Sequence, residues 1–272
     1  MRKRFSHLVP ALVALGFPAL ALLLTQFAPF TQADEPLIAW KQTRSLAAAE
    51  AHQAAAADEN FVFAITNDKV AKYDRKSGER VAVSSGVAAK HLNSGFFAGG
   101  KLYCAHSNYP RQPEQSEIMV LDPEKMQLSV FKDFGNFGGS LTWAIKKPDD
   151  KHWWCNFARY GSANGETFLV KRDDKWQEQG RWTYPAEVVR QIGTASISGG
   201  VWQDDTLLVT DHDHRVLYRL QVPAEGKVLE FVRKEQAPFT GQGIAHDPAT
   251  GGLVGIDRGK KVVLFAEMMK SE

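Results

Sequence analysis

Apolar and polar positions along the chain repeat one layout: an apolar run after Gly or His, a tight polar turn, a second apolar run, then a polar cluster. It reads HLNSGFFAGGKLYCAHSN from His91, GSLTWAIKKPDDKHWWCNFARY from Gly139, SGGVWQDDTLLVTDHDH from Ser198 and GQGIAHDPATGGLVGIDR from Gly241. A looser copy, HQAAAADENFVFAITND, begins at His52. The starts lie 39, 48, 59 and 43 residues apart, near the roughly 40–50 residues of a four-stranded propeller blade.

Strand signals are strongest in the second half of each copy. Phe61 to Ile65, Leu102 to Ala105, Trp153 to Phe157, Leu207 to Thr210 and Leu253 to Ile256 are short, apolar and bounded by turn residues, and read as second strands. Third strands follow at Lys69 to Asp74, Glu117 to Asp122, Thr167 to Arg172, Val216 to Leu220 and Lys261 to Phe265. After turns such as Lys76-Ser77-Gly78 and Asp122-Pro123-Glu124, fourth strands are expected at Arg80 to Val83, Leu128 to Phe131, Trp176 to Trp182 and Val228 to Arg233. The last copy runs out of chain near Met268, while Leu37 to Arg44 is strand-like and belongs to no copy. This N-terminal strand is expected to close the last blade and remove its unpaired edge. The fold class is therefore all-β, a five-bladed β-propeller of four-stranded antiparallel blades. A β-sandwich or barrel also accommodates short strands, but neither demands a repeat with its first piece displaced to the other terminus. PAEVVRQIG, from Pro185 to Gly193, has helical composition and accounts for the longest interval.

The start of the chain is set apart from this pattern. Arg2, Lys3 and Arg4 precede the apolar run Leu8 to Leu24, and Thr31-Gln32-Ala33 resembles a small-residue cleavage site. Residues 1–33 read as a signal peptide and 34–272 as a single β-propeller domain, periplasmic or secreted. A retained anchor is the alternative, since a run of about 17 residues lies at the lower limit for spanning a bilayer. Pro10, Pro18 and the cleavage site favour export with no stable membrane anchor afterwards. Loss of this segment turns the net charge of +2 into about −1, so no nucleic-acid footprint remains. Cys104 and Cys155 occupy matching places in neighbouring copies, on sheets about 10 Å apart, too far for a disulfide. Two buried thiols are expected.

In an antiparallel meander the start of the first strand and the end of the second lie at one edge of the sheet. In a propeller these points converge on one mouth of the channel. The starts carry His52, His91, Asn93, Trp143 and Gln242; the ends carry His106, Arg159, Tyr160, Asp211, His212, Asp257 and Arg258. Convergent imidazole, guanidinium, amide and aromatic groups suit a small polar or anionic ligand. His91, His106 and His212 are the acid/base candidates and Arg159 the anion clamp; the others are candidate ligand-binding residues. Each has a plainer role available: backbone hydrogen bonds for the histidines, turn formation for Asp211, pairing with Asp211 or Asp257 for the arginines. Asp211-His212-Asp213-His214 leaves room for a divalent metal, but alternation along an extended chain splits these side chains between two faces. No cofactor is required by the sequence. The GxSxG elbow, HExxH, Walker loop and GxGxxG signatures are missing. Histidine chemistry near a cation instead fits proton removal α to a carboxylate, the logic of a lyase, cycloisomerase or epimerase.

The segments KYDRKSG, LNSGFF, KLYCAHSNYP, GSLTW, HWWCNFA, SISGG, LLVTDHD and GQGIAHDPATGGLVGIDR resemble a group of secreted bacterial β-propeller proteins that often carry a cycloisomerase label. More distantly, the chain resembles strictosidine-synthase-like and lactonase-type propellers. That resemblance implies a polar central pocket, in some members with Ca²⁺, although the acidic ligand set of those members is missing here. Two functions are carried forward: an exported lyase or isomerase acting on a small anionic or sugar-like substrate, and a non-catalytic carbohydrate- or protein-binding propeller.

Overall fold

The computed structural model describes residues 39–147 and 151–269, all within the unit Pro36–Glu272. The segment read as a signal peptide, 1–33, lies outside the described residues, as do Leu37 and Ile38. Among the described residues no helix is long and apolar enough to cross a membrane.

Strand β1 (Trp40–Ala47) comes first. The first blade holds β2 (Ala54–Ala57), β3 (Phe61–Ile65), β4 (Val70–Asp74) and β5 (Arg80–Val83). A short β6 (Ser85–Gly86) leads to β7 (His91–Ala98), β8 (Lys101–Ser107), β9 (Ser116–Asp122) and β10 (Gln127–Gly135) in the second blade. The third holds β11 (Ser140–Lys146), β12 (Trp153–Ala158), β13 (Phe168–Arg172) and β14 (Glu178–Thr183). After helix α1 (Ala186–Ile192), the fourth holds β15 (Gly200–Gln203), β16 (Thr206–Thr210), β17 (Val216–Gln221) and β18 (Glu230–Gln236). The fifth holds β19 (Ala245–Asp247), β20 (Gly252–Asp257) and β21 (Val262–Met268), with β1 as its outermost strand.

Five antiparallel sheets thus form a closed ring, in which the innermost strands β2, β7, β11, β15 and β19 pack in succession and β19 returns to β2. Closure falls where the displaced strand predicts it: β1 pairs antiparallel with β21 from Trp40↔Met268 to Ala47↔Val262. Beyond that pairing, β6 adds a parallel edge to β10 that the sequence pattern did not indicate. Three hairpins share one turn device. Asp74, Asp122 and Asp173 each accept backbone N–H bonds through Oδ1 from residues just ahead of them, which favours a turn over continued strand.

Crowding at the axis explains two local oddities. Alanine is a poor strand former, yet β2 is four alanines, all buried, because five strands meeting at one axis leave room for little more than a methyl group. Gly243 has not even that room. A Cβ there would stand 2.5 Å from Ser94 Cβ and 2.6 Å from Ala54 Cβ. Cores lie between blade faces rather than at the axis. Phe63, Ile65 and Leu92 pack between the first two blades, and Trp143, Trp202 and Leu207 between the third and fourth. Cys104 and Cys155 are free and fully buried, and burial pushes both thiols up to about 12.

Side-chain and backbone bonds stitch blade to blade on the inner ring. Asn93 Nδ2 donates to Leu141 O (2.9 Å), Ser94 Oγ to Thr142 O (2.8 Å) and Thr142 Oγ1 to Ile197 O (2.8 Å). Gly243 N donates to Gln53 O (2.9 Å), joining the fifth blade to the first. On the rim, Trp40 Nε1 of the closing strand donates to Glu235 in the fourth blade (2.9 Å). Burial pushes the Glu235 carboxyl up, but hydrogen bonds from Arg219, Trp40 and Arg233 overcome it and hold the group below its ordinary value. Gly243→Ala is expected to cost about 1–3 kcal/mol of stability by overpacking the axis. Thermal and denaturant unfolding measure this, and an unchanged midpoint contradicts the crowding argument.

Candidate functional site

At one end of the axis the strand starts and ends meet as the meander requires, with His91 opposite Ser107, Ser140 opposite Ala158 and Ala54 opposite Ile65. A cavity of about 550 Å³ opens there, with lining from every blade. The first blade supplies Gln53, and the second His91, Asn93 and Tyr109. Tyr160 and Gly161 come from the end of β12, while Thr194, Ala195 and Ser198 follow α1. His212, Asp213, Gln242 and Arg258 complete the circle.

Local structure explains the aromatic wall. Asn108 ties its loop into a knot: its backbone N–H donates to Gln115 O (3.0 Å), its Nδ2 donates to Pro113 O (2.9 Å) and its Oδ1 accepts from Gln115 N (2.9 Å). The knot sets the Tyr109 ring between His91 (centroids 5.3 Å) and Tyr160 (4.8 Å). Burial, followed by the proximity of Tyr109 and Glu114, raises the Tyr160 phenol above its ordinary value, so it stays a hydrogen-bond donor.

Arg258 is the cation of the site. Its Nε donates to His52 O (2.8 Å) and its backbone N–H to Thr240 Oγ1 (2.9 Å). The terminal guanidinium nitrogens have no hydrogen bond or ion pair with any described residue, which leaves a part-buried fork for a ligand. Burial lowers its pKa and the nearby Asp213 carboxylate works against that. The same cation acts on its neighbours. His91 is driven down to about 4, first by burial and then by the positive influence of His106, Arg258 and His52; His52 is lowered by burial, Arg258 and Lys261. Across the mouth, His212 holds Asp213 at 2.7 Å through Nδ1, an orienting contact for the ring.

The structure brings His91, His212, Asn93, Tyr160, Gln242 and Arg258 of the expected set to this cavity and engages the rest elsewhere. His106 is buried beneath it with both ring nitrogens in use. Nε2 accepts the Lys90 N–H (2.9 Å) and Nδ1 meets Glu117 Oε2 (3.0 Å). Burial, then Lys90, pulls this ring to about 4, so it is a neutral structural imidazole rather than a free acid/base. Arg159 differs from Arg258 in the same way: Nη1 donates to Gly138 O (2.9 Å) and Nη2 lies 3.6 Å from Glu166. Of the two equivalent arginines, Arg258 is the one whose terminal nitrogens stay open at this mouth. His52 contributes its carbonyl, not its ring, to the site. Trp143 is fully buried in the core between blades. Asp211 caps its own turn, accepting from Asp213 N, His214 N and Tyr218 OH, with His214 Nδ1 2.9 Å from the same carboxylate. Asp257 pairs with Arg215 at 2.8 Å and Lys260 at 3.8 Å. Among the described residues no group of three or more His, Cys, Asp or Glu is placed to hold a metal ion.

Sequence reasoning missed Gln53 and Tyr109. Gln53 neighbours His52 just ahead of β2, where no strand alternation exists to say which of the two side chains faces the axis. Tyr109 sits in a loop whose fold depends on the Asn108 bonds described above.

These features define a class: a five-bladed β-propeller with a polar, singly cationic cavity at one end of its axis. The chain matches no protein-family profile and no curated protein sequence. Among solved structures it is similar to Myxococcus xanthus glutaminyl cyclase, at 11% identity over 86% of this chain and 98% of that one, with a TM-score of 0.58. A chain of a mitotic checkpoint complex superposes with a TM-score of 0.47, at 11% identity, over 92% and 99% of the two chains. The first likeness supports the propeller fold and nothing finer.

Both depressed imidazoles predict a pH dependence of stability. The unfolded rings bind protons below about 6.5, whereas the native rings do so only near 4. Between these values the unfolded state holds more protons, so stability is full above the window and falls as pH drops through it. Denaturant midpoints are expected to decline over that range and His106→Gln to flatten the decline; a flat wild-type profile contradicts the assignment.

Proposed function

We propose that this protein is an exported enzyme, periplasmic or secreted, of the lyase or isomerase type, acting on a small anionic substrate at the axial cavity. One observation carries the reading: the Arg258 guanidinium is free at its end, part-buried and lines the same cavity as the His91 ring, on which its charge acts. A carboxylate satisfies that fork and fixes the carbon next to it near the imidazole. His91 then takes the α proton, Arg258 stabilises the enolate-like charge, and His212, oriented by Asp213, returns a proton to a second carbon or to a leaving group. The bound negative charge offsets the repulsion that Arg258 exerts on a protonated His91, so substrate itself makes the ring a stronger base.

The export part of the proposal rests on the basic start, apolar run and small-residue site of residues 1–33. The reading needs no metal, and divalent ions belong in the ligand screen as a direct check. A second reading, a non-catalytic carbohydrate- or protein-binding module, draws on Tyr109, which is 41% exposed at the rim and tilted against Tyr160.

Thermal-shift screening of uronates, sugar lactones, muconate-like diacids and divalent metals tests binding, since a ligand selective for the native state raises apparent stability. Carboxylates are expected to raise the melting temperature of the wild type and to lose this effect in Arg258→Gln. With a turned-over ligand in hand, His91→Gln is expected to lower kcat by about 10²–10⁴-fold while binding persists. An equal shift in Arg258→Gln overturns the anion site, and binding without any turnover favours the second reading.

A further inference from the structure

The polar groups of the cavity narrow the ligand beyond its charge. Among the described lining residues Arg258 is the sole guanidinium or ammonium, and its free end matches one carboxylate rather than the two of a diacid. Apart from the Asp213 carboxylate, the polar side chains around it are mainly uncharged, the amides of Gln53, Asn93 and Gln242 among them. Asn93 gives Nδ2 to Leu141 O (2.9 Å) and His91 O (3.5 Å) and Gln53 gives one Nε2–H to Asn67 Oδ1 (2.6 Å), while neither carbonyl oxygen has a hydrogen-bond partner among the described residues, so both can accept from a ligand and Gln53 keeps one N–H to give. A carboxylate has no hydrogen to give, and an ammonium group is repelled by Arg258. Hydroxyl groups fit both demands.

Gln242 points the same way by an independent route. It lines the cavity, its carboxamide makes no hydrogen bond to a described residue, and its amide atoms are not among the buried unpaired ones, so they open to the cavity and are free to bond a ligand. Its backbone is also held at φ 69°, a left-handed conformation unfavourable for a long side chain and associated with functional sites. An amide both donates and accepts, as does a sugar hydroxyl. The tilted Tyr109 and Tyr160 rings add an apolar wall suited to the C–H face of a pyranose ring.

We propose that the axial cavity takes a polyhydroxylated monocarboxylate of monosaccharide size, a uronic acid, with its carboxylate on Arg258 and its hydroxyls on Gln242, Gln53 and Asn93. This rests on the anion-site reading above and specifies its substrate class.

Calorimetric titration of the protein with D-glucuronate, cyclohexanecarboxylate, muconate and methyl glucoside tests it. Glucuronate is expected to bind at least about tenfold more tightly than the other three, the effect of one or more well-made hydrogen bonds. Gln242→Gly removes the carboxamide while suiting the left-handed backbone, and is expected to weaken glucuronate about tenfold or more and leave cyclohexanecarboxylate unchanged. Gln242→Asn, also tolerant of that backbone, shortens the amide and is expected to fall between the two, which keeps the test valid if the glycine variant folds poorly. If cyclohexanecarboxylate or muconate binds as well as glucuronate, or if Gln242→Gly weakens both acids alike, the sugar-acid inference fails while the anion site stands. If no carboxylate binds but methyl glucoside does, the anion site fails; if none of the four binds, both fall.

Discussion

Five strands meeting at one axis leave almost no space between them, and the rest of the molecule is arranged around that shortage. Ala54 to Ala57 and Gly243 sit where larger side chains would collide, and the polar residues admitted to the inner ring direct their hydrogen bonds to the neighbouring blade. Asn93, Ser94 and Thr142 each reach a backbone carbonyl beyond their own sheet, and Gly243 N reaches Gln53 O. These bonds act where apolar packing cannot, because the bulky side chains lie further out between blade faces. They also hold the strand ends around the mouth in fixed relation, which is the condition for a preorganised site.

Electrostatics at that mouth follow from burial combined with one arginine that has no side-chain ion pair among the described residues and only the nearby Asp213 carboxylate to oppose its charge. Most part-buried arginines here are matched: Arg75 with Asp247, Arg172 with Trp176 O, Arg219 with Glu235. Arg258 differs, having a carbonyl on Nε and open space at its terminal nitrogens. Burial, joined by its field, lowers both His91 and His52 below the ordinary imidazole value. Neutral imidazole beside a permanent cation is a combination that a bound anion both satisfies and modifies, so ligand binding and proton affinity are coupled at this position.

Much of the architecture was legible because a repeat constrains every copy at once. The strand Phe61 to Ile65 matches its observed bounds, the others agree to within a few residues, and the displaced strand at Trp40 closes the ring. The mouth was legible as a region but not residue by residue. Strand alternation predicts which side chains face inward only while the register is unbroken, and bulges interrupt β7 between Leu92 and Gly95 and β11 between Leu141 and Trp143. That is why Trp143 went to the core although its position in the repeat placed it at the opening. Arg159 and Arg258 occupy equivalent positions, and what separates them is local: a carbonyl at Gly138 and a carboxylate at Glu166 engage the terminal nitrogens of one, whereas the other has only the His52 carbonyl on Nε. Nothing in a linear pattern encodes such three-dimensional partners.

Pairing β1 with β21 makes neighbours of the two ends of the ring, with Trp40 opposite Met268. A chain that emerges N-terminus first therefore carries its outermost strand idle until the final strand has been made. The intermediate is an open arc with two bare edges, and the loop-closure entropy of so distant a pairing is met late. Until β21 is in place β1 has no partner in its own blade, so that one pairing completes the ring.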